Sequence, residues 1–102
     1  MVRRAAKQGF ADAQHNLGFC CEHGKGVAVD IHTAIAWYRR AAEQGHAGSQ
    51  FNLGVCYMHG KGVAADARVA AGWFERAAAS GDAEVDESAR AALVHLRARG
   101  PP

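Results

Sequence analysis

The residues best suited to chemistry are thiols and imidazoles. Cys20-x-x-His23 recurs as Cys56-x-x-His59, and Cys21 adds a further thiol. Thiolates and imidazoles at this spacing can hold zinc. On a helix, however, Cys20 and Cys56 fall on the face that the apolar pattern buries, whereas His23 and His59 project elsewhere. Packed helices lie about 8–10 Å apart, which is far for ligands from both copies to converge. A Cys20–Cys56 disulfide meets the same objection. A zinc or thiol-redox module is therefore a distant alternative, and no metal or cofactor is assigned. Gly24-Lys25-Gly26 lacks the earlier glycine, the following Ser/Thr and the preceding strand of a phosphate loop. His15, His32, His46 and His95 are scattered, and Ser49, Ser80 and Ser88 suggest no nucleophile–base pair. The expectation is a protein that is not an enzyme.

Charge narrows the partners. Twelve Lys and Arg against ten Asp and Glu leave a net charge of +2 over 102 residues. That is too weak an imbalance for nucleic acid or an anionic membrane surface. Arg3, Arg4, Arg39, Arg40 and Arg76 lie near helix C-termini, where cations suit the dipole. No apolar run approaches the roughly 18 residues of a membrane span. Three cysteines, two of them adjacent, do not make a secreted disulfide framework and favour a reducing, cytoplasmic compartment.

The elements that position these residues follow from an internal repeat. Displacing the chain by 36 residues lays Gly9–Gln44 over Gly45–Ser80 with 19 identities and no gap. A fixed period of this length indicates a stacked repeat array. The register continues upstream, since Arg3–Gly9 matches Arg39–Gly45 at six of seven positions. The domain thus reads as the end of a preceding repeat (1–8), repeat 1 (9–44), repeat 2 (45–80) and a divergent C-terminal capping helix (81–102). Of 50 apolar residues 23 are alanine, which predicts a thin core between closely spaced helices.

Each repeat reads as two helices. The first spans about Ala11–His23 and Ala47–His59, centred on Leu17 and Leu53. Gly24 and Gly60 follow as C-caps, and Val27 and Val63 are expected to tuck into the core. Asp30 and Asp66 stand as N-caps of second helices over about Ile31–Glu43 and Ala67–Ala79. The buried stripes are Ala34, Trp37, Tyr38, Ala41 and Ala70, Trp73, Phe74, Ala77, with the tryptophans supplying the bulk. Gly18 and Gly54 sit inside the first helices, where glycine costs about 1 kcal/mol relative to alanine. Their recurrence predicts that a neighbouring helix comes too close for a side chain. Val85, Ala89, Ala92, Leu93 and Leu96 form one face of a last helix over Ala83–Arg99.

Ala-x-x-Gln-x-Asn-Leu-Gly, a Gly-Lys-Gly-Val turn, an Asp and Ala-x-x-Trp-Tyr/Phe-x-Arg-Ala-Ala resemble the Sel-one-like repeat, a 36-residue relative of the tetratricopeptide repeat. The motif is carried by Gln14, Asn16, Leu17, Gly18, Gly24, Gly26, Val27, Asp30, Trp37 and Tyr38, and by their counterparts 36 residues on. The resemblance covers about residues 1–82. It implies an all-α fold, a right-handed α/α solenoid of antiparallel helix pairs, and a non-catalytic adaptor or scaffold role. Cys21 departs from it, since the family usually has an aromatic there, as Tyr57 does.

With Leu17 at the centre of the buried face, Asp12, His15, Phe19 and Glu22 point the other way. Their counterparts Gly48, Phe51, Val55 and Met58 differ, while the core positions repeat. Phe51, Val55 and Met58 lie at i, i+4, i+7 and are expected to form an open apolar strip suited to a peptide or helix, with Asn16 and Asn52 flanking it. The duller reading packs these residues on neighbouring helices and uses the asparagines to join repeats. The partner expected is a protein or peptide. The rival reading is a structural or oligomerising fragment of a longer array, self-associating through its N-terminal end.

Overall fold

The computed structural model describes the backbone of residues 2–99 and the side chains of residues 9–98. These residues form five helices: α1 (Val2–His23), α2 (Ile31–Glu43), α3 (Ala47–His59), α4 (Ala67–Ala78) and α5 (Ala83–Arg99). Each packs chiefly on its neighbours in sequence, with a smaller α3–α5 contact. The result is a slab of 45 × 35 × 18 Å.

Local chemistry sets the helix ends. Asp30 Oδ1 accepts from Thr33 N at 3.1 Å, and its other oxygen accepts from the Thr33 hydroxyl at 2.9 Å. Asp66 Oδ1 accepts from Arg68 N and Val69 N. Asp82 does the same for α5 through Val85 N at 3.1 Å. Each satisfies a backbone donor that the first helical turn leaves open. Gly24 and Gly60 end α1 and α3 at φ +72° and +70°, a left-handed conformation that only glycine adopts cheaply.

One expected boundary is absent. The preceding-repeat segment 1–8 and the first helix of repeat 1 are not separate, because α1 runs through Gly9. The equivalent glycines, Gly45 and Gly81, have φ +94° and +90° and precede the capping residues His46 and Asp82. Gly9 precedes Phe10, which has no side-chain acceptor, so nothing starts a new helix there. The self-association expected of this end concerns side chains of residues 1–8, which lie outside the described residues.

The core has two parts. One gathers Ala34, Ile35, Tyr38, Ala42, Leu53 and Cys56, and the other Ala70, Phe74, Ala77, Ala89 and Leu93. Tyr38 and Phe74 are fully buried and supply the bulk, not the tryptophans. Trp37 and Trp73 are half-buried, with Arg40 and Arg76 stacked over them at 5.3 and 4.6 Å. The amphipathic indole covers the core edge while its outer face takes a cation. The expected close approach at the helical glycines is present. A Cβ on Gly18 would lie 2.8 Å from the Tyr38 ring, and one on Gly54 2.5 Å from that of Phe74.

The two copies are not equally covered. Leu53 is 0% exposed, whereas Leu17, expected at the centre of a buried face, is 45% exposed. Val63 packs on the first cluster, whereas Val27 is 50% exposed and does not tuck in. The difference is the neighbour. The turn of repeat 2 lies on Ile31 and Ile35 of α2, so closely that a Cβ on Gly62 would meet both. Among the described residues no second helix lies in that place beneath the turn of repeat 1.

Candidate recognition surface and the joint between repeats

On α1, Asp12, Asn16 and Phe19 are exposed. They follow at i, i+4, i+7 and so share one face. Lys25 Nζ sits 5.1 Å from the Phe19 ring centroid and His23 packs beside it at 4.3 Å, so this aromatic is held in place at the surface. The matching positions on α3 are Gly48, Asn52 and Val55.

The open apolar strip expected of Phe51, Val55 and Met58 is not present. All three are half-buried against the second core cluster, and Phe51 packs on Phe74 with ring centroids 5.5 Å apart. A helical wheel built around one core residue sees one neighbour, but α3 has three, α2, α4 and α5. Asn52 is half-buried beside the Tyr38 hydroxyl, joining α3 to α2, whereas Asn16 is open.

His15 and Glu22 do not point to solvent as the wheel implied. The Glu22 carboxylate accepts from the Tyr38 hydroxyl at 2.6 Å and from Lys61 Nζ at 2.5 Å, tying α1 to α2 and to the turn of repeat 2. Burial pushes its acidity one way, raising the pKa. The hydrogen bonds from Lys61 and Tyr38 and the charges of Lys61 and His23 outweigh it, and Glu22 lies below the ordinary carboxylate value. Lys61 is raised, chiefly by the same hydrogen bond, as an ion pair requires. Tyr38 is pushed up by burial and by Glu22. A carboxylate that is more acidic when folded adds stability above its unfolded value, near pH 4.5, and that stability is lost as pH falls through the folded value. Replacing Glu22 by Gln should lower stability at pH 7 by about 1 kcal/mol, since Lys61 is half-exposed, and should flatten the acid limb of the stability curve. Urea melts from pH 3 to 7 check this.

His15 belongs to a polar joint between the repeats. Its Nδ1 lies 2.7 Å from the hydroxyl of fully buried Ser49, and its ring stacks on His46 at 4.5 Å between centroids, 23° from parallel. His46 Nδ1 accepts from Ser49 N at 3.0 Å, and its Nε2 lies 3.0 Å from Asp12 Oδ1. Gln44 Nε2 donates to Gln14 Oε1 at 2.5 Å, and Gln50 Nε2 donates to Ala42 O at 3.1 Å. Burial, and then the neighbouring His46, lower the His15 pKa, with Asp12 and Glu22 opposing. Beside this joint runs a polar groove of about 230 Å³, with Asp12, His46, Ser80 and Asp82 in its lining. No motif or spacing links His15, His46 and Ser49. One usable signal is that His46 aligns with Asp82, 36 residues on, at a helix-capping position.

Among the described residues, no group of three or more His, Cys, Asp and Glu side chains converges as a metal site. The three cysteines are free. Burial, helped by Glu22, pushes the Cys56 thiol up, which keeps it protonated and a poor nucleophile or ligand. In the Ser49–His15 contact the serine is fully buried and the histidine partly so.

A tandem of helix pairs packed in sequence order, with a 36-residue period and buried interior glycines, defines an all-α repeat solenoid. Residues 11–46 and 47–82 each match the Sel1 repeat, and the chain belongs to that family. Sel1 repeats are typically protein–protein interaction modules. The chain is similar to a Sel1 repeat protein of known structure from Oxalobacter formigenes, with 42% identity and a TM-score of 0.71, over 79% of this chain and 33% of that one. It is also similar to a protective antigen of uropathogenic Escherichia coli strains that displays an SLR fold, with 36% identity and a TM-score of 0.71, over 85% of this chain and 19% of that one. The chain therefore spans a third or less of the length of either protein. No curated protein matches it.

Proposed function

We propose that this chain is a non-catalytic adaptor module that holds a peptide or helical segment of a partner protein against its first helices. The observation that carries the reading is the exposed face of Asp12, Asn16 and Phe19 on α1. An aromatic fixed at the surface between a cation and an imidazole gives a binding anchor at low ordering cost. Asn16 and Asn52 recur between copies, whereas the residues beside them, Phe19 and Val55, differ. Asn52 is engaged at the Tyr38 hydroxyl, so Asn16 beside Phe19 is the polar contact that the surface offers. Glu22 and Phe51 hold the fold and are not assigned to the surface.

The test is selection of binding peptides from a random display library, followed by calorimetry against the parent and an Asn16→Ala, Phe19→Glu variant. Both changed positions are exposed, so the variant should melt like the parent. A selected peptide should lose at least about tenfold in affinity, the equivalent of one good anchor. Unchanged affinity in the folded variant, or no peptide selected at all, would overturn the reading.

A second reading rests on a different observation. Leu17, Val27 and Val29 are exposed on the side where Leu53 and Val63 are covered in repeat 2. That side is apolar and suits a structural or oligomerising role within a longer array. Self-association through Leu17 without a foreign ligand favours it.

A further inference from the structure

The N-cap of α3 is a histidine, and its hydrogen bonds define which ring nitrogen carries the proton. Ser49 N–H donates to His46 Nδ1 at 3.0 Å, so Nδ1 must be unprotonated. In the neutral ring the proton is then on Nε2, which faces Asp12 Oδ1 at 3.0 Å. We propose that His46 is a proton-operated cap, so that the joint between the two repeats is tight when this imidazole is neutral and loosens when it takes up a proton.

Three effects act together on protonation. Nδ1 becomes a donor and can no longer accept from Ser49 N–H. Ser49 is fully buried, so water cannot take the place of the lost acceptor. The new charge also sits at the positive end of the α3 dipole. Finally, it lies against the stacked ring of His15, 4.5 Å away. Gly48 gives the two rings their room, since a Cβ there would lie 3.1 Å from His46 Cε1 and 3.5 Å from His15 Cε1.

The charged and titratable groups around His46 are few. From α1 come Asp12 and His15. Asp82 lines the same groove, and its carboxylate already caps α5. Asp12 favours a charged His46, but its side chain is 66% exposed and the attraction is screened. It does not restore the acceptor that Ser49 loses. The other helices capped by a side chain carry aspartate at this place, Asp30, Asp66 and Asp82, and a carboxyl group keeps an acceptor oxygen whether or not it holds a proton. The proton response is therefore confined to the start of α3, where it alters how repeat 2 is seated on repeat 1. It requires no ligand, and of the recognition surface it shares Asp12 alone.

The test uses the whole chain. Nitrogen chemical shifts of the imidazole at pH 7.5 should show His46 as the Nε2–H tautomer; an Nδ1–H tautomer overturns the proposal. Amide-exchange protection factors at Ser49 and Gln50 should fall about fivefold between pH 7.5 and 5.5, the factor for a lost cap. In His46→Asp they should stay level. In His15→Gln the fall should persist, because the lost acceptor and the helix dipole act without the stacked ring. No fall in the parent, an equal fall in His46→Asp, or a fall abolished by His15→Gln each overturns the proposal. The tautomer measurement stands even where a variant fails to fold.

Discussion

Leu53→Ala is expected to cost about 2–5 kcal/mol of unfolding free energy, while Leu17→Ala costs less than about 1 kcal/mol. The two leucines occupy the same place in their repeats. Leu53 has no exposed surface and sits among Ala34, Ile35, Tyr38 and Cys56, so truncation removes buried methyl groups and leaves a cavity. Leu17 is 45% exposed and has little apolar burial to lose. Against a typical total of about 5–15 kcal/mol, the first change is a large fraction and the second is close to silent. Urea denaturation of the two variants at a common pH is the measurement. Equal losses would mean that the face around Leu17 is covered in solution.

The second large effect is a difference of sign between two helical glycines. A Cβ on Gly54 would fall 2.5–2.8 Å from three atoms of the Phe74 ring, and that ring is fully buried and cannot swing away. Overpacking of this kind costs about 1–3 kcal/mol, against about 1 kcal/mol gained from alanine's helix propensity. Gly54→Ala should therefore destabilise by up to about 2 kcal/mol, and Gly54→Leu should abolish cooperative unfolding. Gly72, inside α4, has no atom within 4 Å of its missing Cβ. Gly72→Ala keeps only the propensity gain and should stabilise by about 0.5–1 kcal/mol. Thermal melts of the three variants decide the matter. A stable Gly54→Leu would show that α3 and α4 can move apart.

Local signals made most of the fold legible. Aspartates at 30 and 66 and glycines at 24 and 60 are short-range punctuation, and they place α2, α3 and α4 to within a residue. The face of α5 is read correctly from period alone, since Val85, Ala89, Ala92, Leu93 and Leu96 all join one cluster. What escaped depends on neighbours far along the chain. Leu17 and Val27 carry the same local pattern as Leu53 and Val63 and differ only in what lies over them. The continuous α1 follows from the missing acceptor at Phe10, a cue that comparison with His46 and Asp82 supplies. Of the surface residues, Asp12, Asn16 and Phe19 are open as the wheel suggests. Glu22, His15, Phe51, Val55 and Met58 are claimed by inter-helix contacts that no wheel contains. The Glu22–Tyr38–Lys61 group joins residues up to 39 positions apart, beyond any periodic signal.

The sequence-ordered packing of the five helices has a consequence for how the chain finds its fold. Most packing is between helices adjacent in sequence, so only modest loops must close before the next contact rewards them. Folding can start at any adjacent pair and spread outward, as in a row of coupled spins rather than a single nucleus. The pair α3–α4, with Gly54 against Phe74, has packed neighbours on both sides, α2 and α5, and is the natural seed. Growth from it in one direction adds α5, and in the other adds α2 and then α1, with the protonation state of one imidazole acting on the first step toward α1.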